Sequence, residues 1–563
     1  MKKIKAFVIK FRLLFFAIGL VFVTSSTTRI VDNNFEIAKN LDIFTSLFRE
    51  INQSYVDETN PGKLVETAIE AMLESLDPYT NFIPESEIED YMFMTTGQYG
   101  GIGAMIQKQG DNVVITDPYE GFPAQKNDLR AGDIILEING KSAKGKSTSD
   151  ISTILKGQPG TEVKIKIQRE GEGIIEKTIL REEIKIDNIP YYGIVSDDIG
   201  YIRLSSFTEN AGTEVKNAFN ELKGKTKLKG VILDLRGNGG GLLREAVNIC
   251  NIWVKKGQLI VNTKGRLKEQ CRSHATINNP VDTDLPLVVL VNSGSASASE
   301  IVSGAIQDLD RGVIIGQRTY GKGLVQNVFP LSYNTKVKVT IAKYYIPSGR
   351  CIQAIDYSHR NEDGSVGKIV DSLTHPFKTH NGRIVYDGGG VKPDVVIEPR
   401  KLSEISISLL SKFLVFEFAT RYRRENKSIA KPGEFKINSA IYNEFVKYIS
   451  DKDYDYKTKS EKAIEDFKKI AENEKYFDLI KTEYESLRSK LMHNKNEDIE
   501  RFKEEIMMLL KDEIVSRYYF QKGRIEASIS TDNEIQKAVE VLNNKSLYQS
   551  ILNGTYKPEN KEK

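Results

Sequence analysis

The chain has 563 residues, room for roughly three or four domains of ordinary size. Lys and Arg number 80 against 77 Asp and Glu, a net charge of +3, and this balance gives no basis for a nucleic-acid partner. Cys250, Cys271 and Cys351 are too few and scattered for a disulfide framework and lack metal-ligand spacing, so one disulfide is allowed but not required.

The chain opens on a targeting pattern. Lys2, Lys3, Lys5, Lys10 and Arg12 precede an apolar stretch at 13–23, and small residues follow at 24–28. The stretch has signal-peptide length and is short for a full span, but no A-x-A site follows. Export to the periplasm or cell envelope is expected, with an uncleaved membrane anchor as the alternative. No cysteine stands directly after the apolar stretch, so lipid attachment is not expected.

Residues 35–95 read as helical. Ile43, Leu47 and Ile51 recur at helical spacing, as do Leu64, Ala68, Met72 and Leu73. Asn60-Pro61 breaks the two segments, and Leu76-Asp77-Pro78-Tyr79-Thr80 ends the second. Nothing here suggests chemistry; a packing or dimerising unit is expected.

Residues 97–175 change character. The run Gly97-Gln98-Tyr99-Gly100-Gly101-Ile102-Gly103-Ala104 opens a strand at 104–107, and a second strand follows at 113–115. A short helix at 124–129, a strand, an Asn139-Gly140 hairpin turn, a helix at 149–155 and a last strand at 163–167 complete the segment. With Leu129-Arg130-Ala131-Gly132-Asp133 and Ile138-Asn139-Gly140, it resembles a PDZ domain. The resemblance implies that amides of the loop Gly101, Ile102, Gly103 and Ala104 bind a C-terminal carboxylate while the peptide adds as a strand to the sheet edge. A structural spacer without ligand is the plain alternative.

Strand and helix then alternate: a strand at 199–204, a helix at 211–222 and a buried strand at 230–235. The last runs into Arg236-Gly237-Asn238-Gly239-Gly240-Gly241 before a helix at 242–249. Glycines there permit positive φ and close backbone approach. A phosphate-binding loop would need a following Lys-Ser/Thr or a GxGxxG pattern, and neither is present. An oxyanion-stabilising amide from Gly240 or Gly241 is the better expectation.

The stretch 285–326 carries the chemistry. An apolar run at 285–291 reads as a buried strand, followed by a polar turn and a helical pattern with Ile301, Ala305, Ile306 and Leu309 on one face. A serine where strand turns into helix has an exposed hydroxyl beside free backbone amides, as an acyl-transfer nucleophile needs. Ser295, Ser297 and Ser299 all sit at this turn, and periodicity does not choose among them. Lys322 follows between Gly321 and Gly323. It would act as a base only if desolvation lowers its pKa from about 10.4 toward about 7, worth about 4–5 kcal/mol. The flanking glycines would leave room for its stem, and Gln326, on the same face of a strand, would orient the amine. The histidines His274, His359, His375, His380 and His493 share no motif, and none is near the serines in sequence. This weakens a Ser-His hydrolase reading without excluding it.

The constellation Asn292-Ser293-Gly294-Ser295-Ala296-Ser297-Ala298-Ser299-Glu300-Ile301, Gln307-Asp308 and Gly321-Lys322-Gly323-Leu324-Val325-Gln326 resembles the carboxy-terminal processing peptidases, the tail-specific Ser-Lys proteases. The resemblance spans about residues 40–400. It implies Ser297 as nucleophile, Lys322 as general base and Gln326 as the lysine-orienting residue. The oxyanion donors would be the amides of Ala298 and Gly240. It also implies an α/β core of ClpP/crotonase-like type with a small β subdomain, in a multidomain α+β chain. Ser-x-x-Glu also reads as a capping box, so Glu300 is expected to be structural. Asp308 lies eleven residues along the helix, roughly 16 Å from Ser297, and is expected to support the helix end. Asp234 and Arg236 are left outside the catalytic set.

A polar insertion at 356–383 and a final strand at 395–397 close this region. From 402 onward the chain is charged and helical. Stripes Ile464, Phe467, Ile470; Leu479, Ile480, Tyr484, Leu487, Leu491; and Ile499, Phe502, Ile506, Leu509 are expected to be core-packing faces. The expected organisation is a signal peptide or anchor at 1–30, a helical region at 31–96, a PDZ domain at 97–175, a peptidase core at 176–401 and a helical extension at 402–563. The expected function is an exported serine endopeptidase acting on C-terminal or unstructured protein tails, with no cofactor and no metal. An adaptor protein, a homodimer and N-terminal membrane association stand as candidate partnerships. The rival reading is a catalytically degenerate peptide-tail adaptor, which predicts loss of Ser297, Lys322 or Gln326; none is lost.

Overall fold

The computed structural model describes residues 34–196, 198–360, 366–368, 371–491 and 494–557. The targeting pattern at 1–30 lies outside the described residues. No helix among the described residues is long and apolar enough to cross a membrane. The chain divides into two compact units at Phe82/Ile83.

The first unit holds helices 34–54 and Pro61–Glu74. Pro61 sits at the first helical position, where its missing N–H costs nothing, and the Asn60 side chain accepts from the Lys63 amide at 3.0 Å. Asp77 Oδ1 accepts the amides of Tyr79 and Thr80, forming the turn that follows the second helix. Phe35, Leu41, Leu47 and Met72 are exposed, while Leu73 is buried.

The second unit begins with a helix, Ile88–Thr96, that the sequence reading grouped with the first. An antiparallel sheet follows, ordered Ala104–Gln109, Asn112–Pro118, Ile134–Ile138, Glu162–Arg169, Gly173–Leu180. Asn139 and Gly140 both have positive φ, 49° and 76°, and form the expected tight turn. The strand at 162–169 is not the last of the segment: it hairpins into Gly173–Leu180. Ala104–Gln109 is an edge strand, flanked by the helix Thr148–Leu155, which carries a Ser147/Asp150 capping box.

The central sheet runs Tyr191–Ser196, Ile199–Arg203, Gly230–Asp234, Leu287–Val291, Val313–Gly316, Val395–Val396. Its first pair is antiparallel and the others are parallel. Strands buried on both faces read as continuous apolar runs, as 287–291 does. Alternate residues serve alternate layers. Val231, Leu233, Leu287, Val289 and Val291 pack in one cluster with helices Ala211–Lys225, Leu243–Trp253 and Ala298–Asp308. Ile232, Val288 and Leu290 pack on the other side against Ile535, Ala538, Val541, Leu542 and Tyr548, from helices Asn533–Asn543 and Lys545–Leu552. The end of the C-terminal extension therefore forms one layer of the core. Tyr548 fixes it there: its hydroxyl accepts from the Leu287 amide at 3.0 Å.

A smaller sheet joins Leu259–Gly265, Arg272–Ala275, Leu324–Pro330 and Lys336–Tyr345. Elsewhere in the extension, Ile499 and Ile506 are buried, as their stripe predicts. The other two stripes correct the expectation. Ile464 and Tyr484 are buried, but Phe467, Ile470, Leu479 and Leu487 are exposed on the hairpin Lys459–Asn473 and Phe477–Leu491. These helices turn one narrow seam toward each other and leave the rest of each apolar face uncovered. All three cysteines are free thiols.

Candidate active site

Ser297 stands between the turn that follows Leu287–Val291 and the helix Ala298–Asp308. Its backbone is in the left-handed half of conformational space, φ 55° and ψ −112°, a strain of order 1–3 kcal/mol that its surroundings must hold. Both of its peptide groups are pinned. Its N–H donates to Glu300 Oε2 at 2.8 Å, and its carbonyl accepts the Tyr344 hydroxyl at 3.1 Å. The capping box forms only in this half, because the Ser297 side chain makes no cap hydrogen bond.

The neighbouring serines have other work. Ser295 Oγ donates to the Leu235 carbonyl at 2.8 Å, and Ser299 Oγ to the Asn238 carbonyl at 2.9 Å; both are buried. Of the three, Ser297 lines a cavity of about 1200 Å³. Ala298, Gly240, Lys322 and Gln326 line the same cavity. Among the described residues no histidine does, which removes the support for a Ser-His arrangement, and no group of side chains could hold a metal ion.

Glu300 is what brings the two segments together. Its buried carboxylate accepts four donors: the amides of Ser297 at 2.8 Å, Gly321 at 2.7 Å and Lys322 at 2.9 Å, and the Thr319 hydroxyl at 2.6 Å. Burial pushes the carboxyl up from its ordinary value against the pull of these donors. The sequence pattern identified Glu300 as a cap but not as the bridge to residues 319–322. Ser-x-x-Glu names only the local partner. Tyr344 was missed altogether, since it arrives from a strand 47 residues away.

The lysine segment differs from expectation in two ways. Lys322 precedes the strand Leu324–Pro330 and does not share a strand face with Gln326. The flanking glycines serve backbone packing: a Cβ on Gly321 would stand 2.4 Å from Ala354 Cβ, and one on Gly323 would stand 2.9 Å from the Gln353 nitrogen. Gln326 donates its amide to Thr340 Oγ1 at 3.1 Å, beside a bulge in the 324–345 hairpin. Its Oε1 is the atom able to accept from an amine.

The glycine loop is held against the serine turn. Gly240 presses on the serine turn, where an added Cβ would lie 2.9 Å from Ser297 Cβ, which explains the glycine. However, its amide donates to Asn238 Oδ1 at 2.9 Å, so it is engaged within its own loop. Ala298 carries the first amide of its helix, a position without an intrahelical acceptor. Asn238 ties the loop to the turn, accepting the Ala296 amide at 3.0 Å. Arg236 anchors the loop's start, pairing with Asp234 at 2.7 Å, Asp532 at 2.8 Å and Glu534 at 3.2 Å. Burial alone would raise the Asp234 carboxyl, but Arg236, Arg203 and the Tyr201 hydroxyl outweigh it and hold it at about 2. At the far end of the helix, Asp308 pairs with buried Arg350 at 2.8 Å and accepts the Ser348 amide.

The PDZ-type loop is packed more tightly than a bare carboxylate cradle. Gln98–Gly101 is a strand paired with Glu182–Lys185, and Gly101, Ile102 and Gly103 are buried. A Cβ on Gly103 would meet Phe122 Cβ at 2.6 Å, so close packing accounts for this glycine. Ala104 begins the edge strand.

Residues 198–359 match the family described as peptidase family S41. Residues 114–169 match a PDZ domain, and residues 405–542 match a probable PDZ-protease C-terminal helical domain. A carboxy-terminal-processing protease of Bartonella bacilliformis is 37% identical over 341 residues, 60% of this chain and 77% of that protein. The carboxy-terminal processing protease CtpA of Bacillus subtilis is 31% identical over 351 residues, 61% of this chain and 74% of that protein. Among solved structures, a photosystem II D1 C-terminal processing protease is 30% identical, covering 64% of this chain and 93% of its own, with a TM-score of 0.36. A serine-type peptidase with a PDZ domain is thus the class defined here. The chain belongs to the carboxy-terminal processing proteases of family S41.

Proposed function

We propose that Ser297 is the nucleophile and Lys322 its general base, in an exported endopeptidase that cuts proteins with exposed C-terminal or unstructured tails. The observation that carries the reading is the Glu300 carboxylate, which binds the Ser297 and Lys322 amides together at the wall of one cavity. The tail adds as a strand to the free edge of Ala104–Gln109, with its carboxylate taken by amides of the loop from Gly101 to Ala104. Neutral Lys322 accepts the Ser297 proton as Oγ attacks the scissile carbonyl. Gln326 accepts a hydrogen bond from the lysine amine and orients it. The tetrahedral oxyanion is held by the Ala298 amide, joined by that of Gly240 once it leaves Asn238. Collapse expels the amine, which takes the proton back from Lys322, and water then hydrolyses the acyl-enzyme.

Export rests on the basic and apolar pattern at 1–30, which serves as signal or anchor. The exposed apolar side chains of the first unit support self-association into a dimer. An adaptor protein that delivers substrate remains part of the proposal.

The test is cleavage of a denatured protein by wild type, Ser297→Ala and Lys322→Ala. Both variants are expected to lose at least about 1000-fold in kcat, as other nucleophile and base deletions do. Full activity in both would refute the assignment.

A further inference from the structure

The cavity that holds Ser297 has a third wall, and it comes from the C-terminal helical domain. Phe520, Gln521, Lys522 and Arg524 line it together with Asp117, Tyr119 and Phe122 of the PDZ domain. Consecutive residues of an α-helix point about 100° apart, so three in a row do not share one surface. They do so here because the helix Lys503–Ser528 is broken at Phe520, with φ 54° and ψ −158°. This is a conformation in which a phenylalanine is strained and glycine is not. Gly523 belongs to the same break: a Cβ there would stand 2.1 Å from Tyr519 Cβ. Met105 of the PDZ edge strand lines this cavity as Ser297 does, so it offers a polypeptide held on that strand a path to Ser297.

We propose that the Phe520 break is a substrate-contacting element. Phe520 packs on an apolar side chain of the polypeptide between its PDZ-bound tail and its scissile bond, so the C-terminal helical domain sets specificity. This rests on the reading of Ser297 as nucleophile. It gives a local reason for the strain: the break turns an aromatic ring and its two neighbours toward the substrate's path.

The experiment uses the full chain and two fluorogenic peptides with the same C-terminal tail. One carries leucine and the other serine across the segment between scissile bond and tail. Wild type is expected to prefer the leucine peptide by about tenfold in kcat/KM, mostly through KM. Phe520→Ala is expected to bring that ratio close to 1, and Phe520→Leu to restore most of it. Fluorophosphonate labelling reports whether the Ser297 site stays assembled in each variant. An unchanged ratio in Phe520→Ala overturns the proposal. So does a general rise in cleavage, which would make the break a shield, or loss of labelling in both variants, which would make Phe520 a structural strut. Cleavage by Ser297→Ala at the wild-type rate would instead refute the nucleophile, while the peptide ratio would still report on Phe520.

Discussion

The two ends of the helix Ala298–Asp308 each bury a carboxylate, and they satisfy it in opposite ways. At the start, Glu300 takes four uncharged donors, three of them backbone amides from two separate segments. At the end, Asp308 takes a single backbone amide, that of Ser348, and faces the Arg350 guanidinium, itself fully buried, in a charge pair. Burial pushes that guanidinium down, and Asp308 is the leading opposing influence. A carboxylate that takes main-chain amides determines where two backbones lie. One that takes a cation cancels a charge that could not otherwise stay buried. The start of the helix therefore positions the candidate chemistry, and the end holds the fold around it.

Breaking the far end should cost the most. Asp308→Asn leaves Arg350 buried without its counter-charge, an expected loss of about 3–5 kcal/mol in urea unfolding. Replacing both, Asp308→Asn with Arg350→Gln, should recover most of it; a single-variant loss under about 1 kcal/mol would show that the pair matters little. Glu300→Gln should cost less stability and more activity. The amide keeps one acceptor oxygen but sets its NH₂ against two of the four donors, so kcat is expected to fall about 100-fold as the two segments separate. Acid should reach this end too. Burial raises the Glu300 carboxyl above its ordinary 4.5. A raised folded-state pKa means the folded chain binds this proton more readily than the unfolded chain. As pH falls from the raised value toward about 4.5, this group adds stability while its protonation removes an acceptor. Activity should thus drop on the acid side before the fold weakens. The matching limb should vanish from the pH profile of Glu300→Gln; an identical limb there would assign it to another group.

The same contrast explains what the sequence made legible. The start of the helix was visible because its signals are local: an apolar run, a polar turn with serine, then Ser-x-x-Glu. The glycines at 321 and 323 were visible, but their reason was not, because Ala354 and Gln353 lie some thirty residues on. Arg236 finds Asp532 across 296 residues, beyond any periodicity. The amphipathic stripes of the extension gave the faces but not the partners. Nothing local separates Ile535 and Ala538, which seal the central sheet, from Leu479 and Leu487, which stay exposed. Continuous apolar strands did announce that both faces of that sheet are covered. The PDZ-like glycines show a loop in the sequence but not what packs on it: Gly103 lies against Phe122 and Gly101 beside Tyr99.

The smallest change tests whether the start of the helix works through backbone position alone. The Tyr344 hydroxyl donates to the Ser297 carbonyl, and burial, with Glu300 nearby, holds that hydroxyl well above its ordinary range, so it stays a donor. Tyr344→Phe removes the donor and leaves the ring, so no large cavity opens. A single hydrogen bond of this kind contributes about 0.5–1.5 kcal/mol. If it helps hold Ser297 in its left-handed conformation, the loss should appear as a fall in kcat of about 3–10-fold, with KM steady. Spread evenly over the fold, the same energy would lower the unfolding midpoint and leave kcat alone. The first outcome extends the positioning role from Glu300 to both peptide groups of Ser297. The second would confine it to the carboxylate.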